Sequence, residues 1–337
     1  MRRQGALFAG IGASVGMVIL IFDARTAYQG ASAGIELCIR TVIPALFPFF
    51  VLSILLTGNL VGQSIPILRP VGKLCGIPQG SESLLLIGLL GGYPVGAQNV
   101  AQAYESGQLS GSDARRMVSF CSNAGPAFIF GIISQLFPNL IITWSLWGIH
   151  IFSAIMVGII FPGKSTAHNS LKESSRITLS LSLERAIKVM AGVCGWVILF
   201  RIILSFLDRW IFWLLPETIQ VITAGLLELT NGCSRLNEIK NLGLRFILCS
   251  GFLSIGGLCV TMQTVSVTKT LGIGQYVPGK ITQTAISILT ASLLQYILFK
   301  PEQQCMIPTF ILIVCILVCS IPVFLQNNSR KMQQIGV

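Results

Sequence analysis

Charge is what this chain has least of. Only 10% of its 337 residues are Asp, Glu, Lys or Arg, whereas a soluble domain carries about 25%. So few charges cannot cover a water-facing surface, which argues against a large soluble domain. Histidine is nearly absent, with two residues, and the ten cysteines contain no C-x-x-C pair. Both facts speak against a metal site or a disulfide framework. Cys38, Cys194, Cys259, Cys315 and Cys319 fall in apolar segments and read as small packing residues. The sequence shows no His–Glu zinc pattern and no paired intramembrane aspartates. The chain is therefore expected to be no enzyme, to carry no cofactor and to hydrolyse no nucleotide by itself.

What is present is apolar. Hydrophobic residues make up 53% of the chain and its mean hydropathy is +0.78. The net charge is +11, but the basic residues sit between apolar runs instead of forming one patch. That pattern fits positively charged cytoplasmic loops, with the lipid bilayer as partner and no nucleic acid. The expected fold is an all-α polytopic membrane protein. Eight transmembrane helices follow from charge-free runs of spanning length: about 5–22, 41–61, 123–138, 141–161, 187–207, 245–267, 281–299 and 306–325. Arg2 and Arg3 ahead of the first run also fit a signal peptide, but Asp23 and Arg25 follow it without a small-x-small cleavage site, so it reads as a helix. Residues 1–29 form this N-terminal transmembrane segment. Residues 30–161 and 186–300 form two repeats, joined by a polar linker at 162–185 and followed by a C-terminal helix and tail at 301–337.

Two apolar segments are left out of that count. Residues 84–101 read LLLIGLLGGYPVGAQNVA and break at Gly91-Gly92-Tyr93-Pro94. Residues 218–233 read TIQVITAGLLELTNGC and break at Thr230-Asn231-Gly232. Glycine and proline inside a helix cost about 1 and 3 kcal/mol. Broken backbone at membrane depth is tolerated only where protein covers it or where it lines a cavity. A pair of such segments, one in each half, points to a transporter's binding site. They are read as re-entrant hairpins, entering from opposite sides in two inverted-topology repeats; two kinked spans are the plainer alternative. Further breaks follow at 122–126 and 254–257. Between hairpin and break, Ser110-x-x-Asp113 fits a capping box opening a helix, with Arg115 and Arg116 expected at the cytoplasmic surface.

The stretch from Leu85 to Gly131, with its YPVGA turn and NAGP break, resembles the core motif of the YlbJ family of sporulation integral membrane proteins, which belong with the nucleoside-recognition, or Gate-domain, membrane proteins. VIPALFPFFVLSILL upstream and GLLELTNGC downstream are similar to other parts of the pattern. The resemblance implies two Gate-like repeats and a role in endospore formation. It also implies movement of dipicolinic acid across the outer forespore membrane, which derives from the mother cell. A Gate-type carrier of nucleosides or another solute, and a non-transporting scaffold, are the other readings.

A small anionic substrate would meet the two breaks. Gly92, Tyr93, Pro94, Gly96, Asn123, Gly125, Pro126, Glu228, Asn231 and Gly232 are the candidate substrate-binding residues. Half-helix N-termini attract anions. Tyr93 can stack on an aromatic ring, and Asn123 and Asn231 can donate hydrogen bonds. Glycines let backbone approach a ligand, although close helix packing explains them equally well. Glu228, a carboxylate in an apolar run, is a functional candidate by default: it can take a coupling proton or cation, or pair with Arg235 or Arg201. A homo-oligomer is also open.

Overall fold

The computed structural model describes residues 2–60, 64–161, 163, 177–306 and 314–319. All regular structure among them is helical. Five segments are long and apolar enough to cross a membrane: Ala24–Leu56, Leu140–Ile160, Leu179–Trp210, Leu242–Val267 and Tyr276–Leu298. Gly10–Phe22, Pro126–Leu136 and Glu217–Leu227 are shorter apolar helices. The chain is a polytopic helical membrane protein, with five helices of crossing length and hydropathy among the described residues where eight were expected. Of the expected span at 306–325 only Met306 and the helical residues 314–319 are described, and the rest of it, with most of the tail and linker, lies outside the described residues.

The first helix is α1, Arg2–Phe22. The largest departure from expectation follows it. Residues 24–40 lie between the expected spans at 5–22 and 41–61 and carry Arg25, Glu36 and Arg40. They open one continuous helical rod, built from α2 (Ala24–Leu37), a π-helical turn (Cys38–Val42) and α3 (Ile43–Leu60). The charges are compatible with helix because Asp23, Glu36 and Arg40 find partners along it or beside it and Arg25 is exposed. Asp23 caps α2 through the Thr26 amide and also pairs with Arg209 at 2.8 Å, and Glu36 pairs with Arg40 one turn on at 3.0 Å.

After a short helix α4 (Arg69–Leu74), the first hairpin is α5 (Glu82–Leu90) and α6 (Val95–Glu105). Next come α7 (Gly111–Phe120) and α8 (Pro126–Gly131), two pieces of one broken helix, and then α9 (Leu140–Ile160). The same order recurs. A long helix α10 (Leu179–Trp210) precedes a hairpin of α11 (Glu217–Leu227) and α12 (Leu229–Arg235). A second broken helix follows, α13 (Leu242–Ile255) and α14 (Gly257–Val267), and then α15 (Tyr276–Leu298).

The two leading helices run antiparallel. Gly30 lies against Ile202 and Ser205, Gly34 against Ile198 and Arg201, and Cys38 against the Cys194 carbonyl, so partner numbers fall as rod numbers rise. This is the packing that inverted topology requires. It depends on small residues: an added Cβ at Gly34 would stand 2.9 Å from the Ile198 backbone. Close backbone approach of this kind is how helices associate in lipid, where the hydrophobic effect gives no drive.

Each hairpin is pinned at its root. Arg69 binds the buried Glu82 at 2.6 Å, and Arg235 binds Asp208 at the end of α10 at 2.6 Å. Ser110 caps α7 as its spacing predicted, accepting from the Asp113 amide. Arg115 is exposed as expected, but Arg116 is not. It is buried and donates to the Cys75, Gly76 and Phe161 carbonyls, tying α7 to the end of α4 and the end of α9.

Two stretches spell known motifs out of context. Gly12–Gly16 matches G-x-S-x-G but lies within α1, where Ser14 only bonds back to the Gly10 carbonyl. Gly158–Ser165 matches G-x-x-x-x-G-K-S, but Gly158 to Ile160 end α9. A phosphate-cradling loop instead joins a strand to a helix, and no strand occurs among the described residues.

Replacing Gly34 by leucine is expected to destabilise the protein by about 1–3 kcal/mol through overpacking. Gly148→Leu, at a position with nothing within 4 Å of an added Cβ, is expected to be neutral. Thermal unfolding in detergent reads both; equal midpoints for the two variants would refute the packing account.

Candidate functional site

The two hairpin tips meet the two helix breaks in the middle of the molecule. At the first tip Gly92 has φ +79° and abuts Gly125, where an added Cβ would stand 3.0 Å from the Gly92 Cα. Gly88 and Gly96, on the two hairpin legs, both close on the Cys121 carbonyl, which a side chain at either position would overlap. At the second tip the Gly225 and Leu226 carbonyls lie against Gly257, and Gly232 packs on Gly225. Gly96 and Gly232 are therefore packing glycines, not ligand contacts.

The interruption at the second hairpin tip is not where it was expected. Thr230, Asn231 and Gly232 are helical, and the interruption is Glu228, in extended conformation. The reason is capping. The Glu228 carboxylate accepts from the Thr230 amide at 2.9 Å, the Asn231 amide at 2.7 Å and the Asn231 side chain at 2.6 Å. It thereby opens α12 and satisfies amides that would otherwise be orphaned. Arg201 and Arg235 pair with Asp208, at 3.7 and 2.6 Å, and not with Glu228.

Between the tips lies a cavity of about 40 Å³. Gly92, Tyr93, Ala124 and Gly125 line it from one half, Glu228, Leu229 and Thr230 from the other. Val42 and Leu46 of the rod face Val193 and Val197 of α10 across it. At roughly 10–15 Å³ per water, it holds a few waters and no metabolite. Two larger cavities flank it along α10. One, about 220 Å³, is lined by Pro94, Gln98, Arg185, Lys188 and Trp196, and shares Val193 and Gln263 with the central cavity. The other, about 560 Å³, is lined by Arg40, Arg201, Asn231, Arg235, Glu36 and Glu238, among others. Lys188 and Arg201 are separated by about 20 Å of helix, with the central cavity between them.

Of the expected site residues, Gly92, Tyr93, Gly125 and Glu228 therefore share the central cavity, and Pro94 and Asn231 stand on its two flanks. Pro126 only starts α8. Asn123 is fully buried and outside the cavity lining. Its amide donates to the Phe120 carbonyl at 2.7 Å and the Gly88 carbonyl at 3.3 Å, so it braces the break and does not offer a donor to substrate.

Several residues at this centre were missed. Lys280 is 2% exposed. Its ammonium donates to the Ser122 carbonyl, Gln283 Oε1 (2.7 Å), Tyr93 Oη (3.2 Å) and Asn123 Oδ1 (3.4 Å). Tyr93 in turn donates to the Leu253 carbonyl at 3.2 Å, joining the first tip to the end of α13. His150 accepts the Ala124 amide on Nε2 at 3.0 Å, which leaves its proton on Nδ1, facing Ser254 Oγ at 3.5 Å. Lys280 escaped notice because a charge beside an apolar run reads as the run's boundary; Gly279 beside it, which packs on Ser119, was the available hint.

Glu228→Ala is expected to cost about 1–2 kcal/mol, the value of a lost N-cap, whereas Glu228→Gln keeps most of the capping geometry. If thermal unfolding in detergent shows the alanine variant as stable as wild type, the capping role is wrong.

No family model and no solved structure matches the chain. Over 146 residues it is 30% identical to the sporulation integral membrane protein YlbJ of Bacillus subtilis (strain 168), which covers 42% of this chain. The match spans 35% of that relative's own length. Through this stretch the chain is similar to that sporulation integral membrane protein, and it spans about a third of that relative's length.

Proposed function

We propose that the chain is a secondary transporter, not an enzyme, that moves a small anionic metabolite across the membrane. The substrate that fits best is dipicolinic acid, carried across the outer forespore membrane from mother cell to forespore. One observation carries the reading. The tips of two hairpins close on a central cavity, and a vestibule with cationic side chains flanks each side of it along α10. Broken backbone lining a buried cavity is what a transporter needs and a scaffold does not.

In this mechanism the anion meets Arg185 and the Lys188–Glu184 pair at one mouth, and at the other it exchanges places with the carboxylates that pair Arg40, Arg201 and Arg235. Alternate withdrawal of the two tips opens the cavity to one vestibule at a time. The Tyr93 ring, part of the cavity wall, offers a face on which a flat aromatic ring stacks.

Glu228 faces the same space, and two anions in one small cavity repel strongly. The carboxylate therefore takes a proton as substrate arrives, which makes a proton the coupling partner. The groups around it are Cys38, Cys233, Cys259 and, further out, Arg201. Carboxylate protonation grows as pH falls, so uptake rises towards acid pH.

Deleting the gene in a spore former is expected to deplete spore dipicolinate; normal dipicolinate in normally matured spores would sink the reading. In reconstituted vesicles, dipicolinate uptake separates transporter from scaffold, and competition by nucleosides would favour the other carrier reading. Glu228→Gln is expected to retain exchange while losing most of the pH dependence; an unchanged pH profile would remove Glu228 as the proton site.

A further inference from the structure

We propose that Lys280 is a tethered cation: its ammonium fills an all-oxygen cation site at the first helix break and does the work of a free monovalent ion. The oxygens are the Ser122 carbonyl, Gln283 Oε1, Tyr93 Oη and Asn123 Oδ1, all of them neutral. Among the described residues no carboxylate pairs with Lys280. A buried ammonium that lacks a counter-ion is costly, so its surroundings have to replace the whole hydration shell.

They are arranged to do so. Asn123 turns its amide hydrogens away, onto the Phe120 and Gly88 carbonyls, which leaves its oxygen facing the ammonium. Gln283 turns its own amide hydrogens onto that same Asn123 oxygen, at 3.0 Å, so that its Oε1 also faces Lys280. Tyr93 gives its proton to Leu253, and the hydroxyl meets the ammonium with a lone pair. Ser122 lies just past the C-terminal end of α7, the negative end of a half-helix. Unwound carbonyls at such ends are where transporters coordinate free cations. The Tyr93 and Tyr276 ring centroids, 5.1 and 5.9 Å away, add cation–π attraction.

A direct role on substrate fits less well. Lys280 is absent from the cavity lining, and the Tyr93 ring that lines the cavity also packs over the ammonium. The site instead holds together four elements: the first tip, the first break, the end of α13 and α15. With the cation covalently attached, the tip closes without an ion from solution, and the transport cycle needs no sodium at this place. That last consequence rests on the transporter reading; the substitution of ion by ammonium does not.

The test uses the full-length protein in detergent, melted in choline chloride, sodium chloride, lithium chloride or methylammonium chloride at equal ionic strength. Wild type is expected to melt alike in all four. Lys280→Ala, which leaves a hole with its oxygens intact, is expected to melt several degrees lower in choline. It should recover saturably with sodium, lithium or methylammonium, as for any ligand bound by the folded state. Lys280→Met fills the hole and is expected to gain nothing from any cation. If the alanine variant folds only when purified with one of the small cations, the inference stands. Absence of rescue by all three overturns it, as does a sodium-specific rise in wild type. Uptake distinguishes the two readings: dipicolinate uptake that requires sodium overturns the tethered cation, whereas no uptake in any salt overturns the transporter and leaves the melting result to decide this inference.

Discussion

Backbone polar groups freed by breaking a helix in lipid have to be satisfied by the protein itself, and the centre of this molecule is organised around that constraint. Four interruptions lie at the middle, two at hairpin tips and two within broken helices. Glycine resolves part of the problem by letting backbones touch: the Cys121 carbonyl sits between Gly88 and Gly96 only because neither carries a side chain. Charge resolves the rest. The carbonyl end of α7 is met by the Lys280 ammonium, and the amide end of α12 is met by the Glu228 carboxylate. Each buried charge is stabilised by a helix end of opposite polarity and by neutral hydrogen-bonding groups, and the two do not pair with each other.

This arrangement accounts for what the sequence disclosed and what it withheld. The break at Gly91–Pro94 was legible because glycine and proline act locally, and the Ser110 cap because its spacing is local too. The two hairpin segments stood out in hydropathy, but the span expected at 123–138 is the short second piece of a broken helix. Lys280 was hidden because its partners, Tyr93, Ser122 and Asn123, are more than 150 residues away in the chain. Arg116 was hidden for the same reason: the carbonyls it binds come from two other places along the sequence. In both cases charge looked like a mark of the membrane boundary, and tertiary contacts made it interior. The rod at Ala24–Leu60 shows the same error in reverse, since charges lying between two expected spans are carried by a helix, with partners one turn away or on α10.

The two halves share an architecture but not a chemistry. Where the first tip has Tyr93 and Pro94, the second has Glu228. The first break is stabilised by a cation held in neutral oxygens; the second turns on two successive glycines of positive φ, Gly256 and Gly257. Gly256 packs against the Tyr93 ring at 3.4 Å from its added Cβ, so the first tip rests directly on the second break. One half contributes an aromatic wall backed by a fixed positive charge, and the other an ionisable carboxylate. The central cavity therefore has two unlike faces even though the helices around it are arranged alike.

That difference bears on how the cavity opens. The roots of both hairpins are fastened by arginine–carboxylate pairs, Arg69–Glu82 and Arg235–Asp208, so movement is most readily absorbed at the tips. The first tip is also held by Lys280 through Tyr93, and by the Tyr93 hydroxyl on the end of α13. Among the described residues the second tip has no comparable polar tether to the opposite half; its polar contacts at Glu228 are within its own helix. Withdrawing it leaves those hydrogen bonds intact, because carboxylate and amides travel together. On these contacts the second tip is the less tethered of the two, and it stands on the side of the cavity walled by Arg40, Arg201 and Arg235.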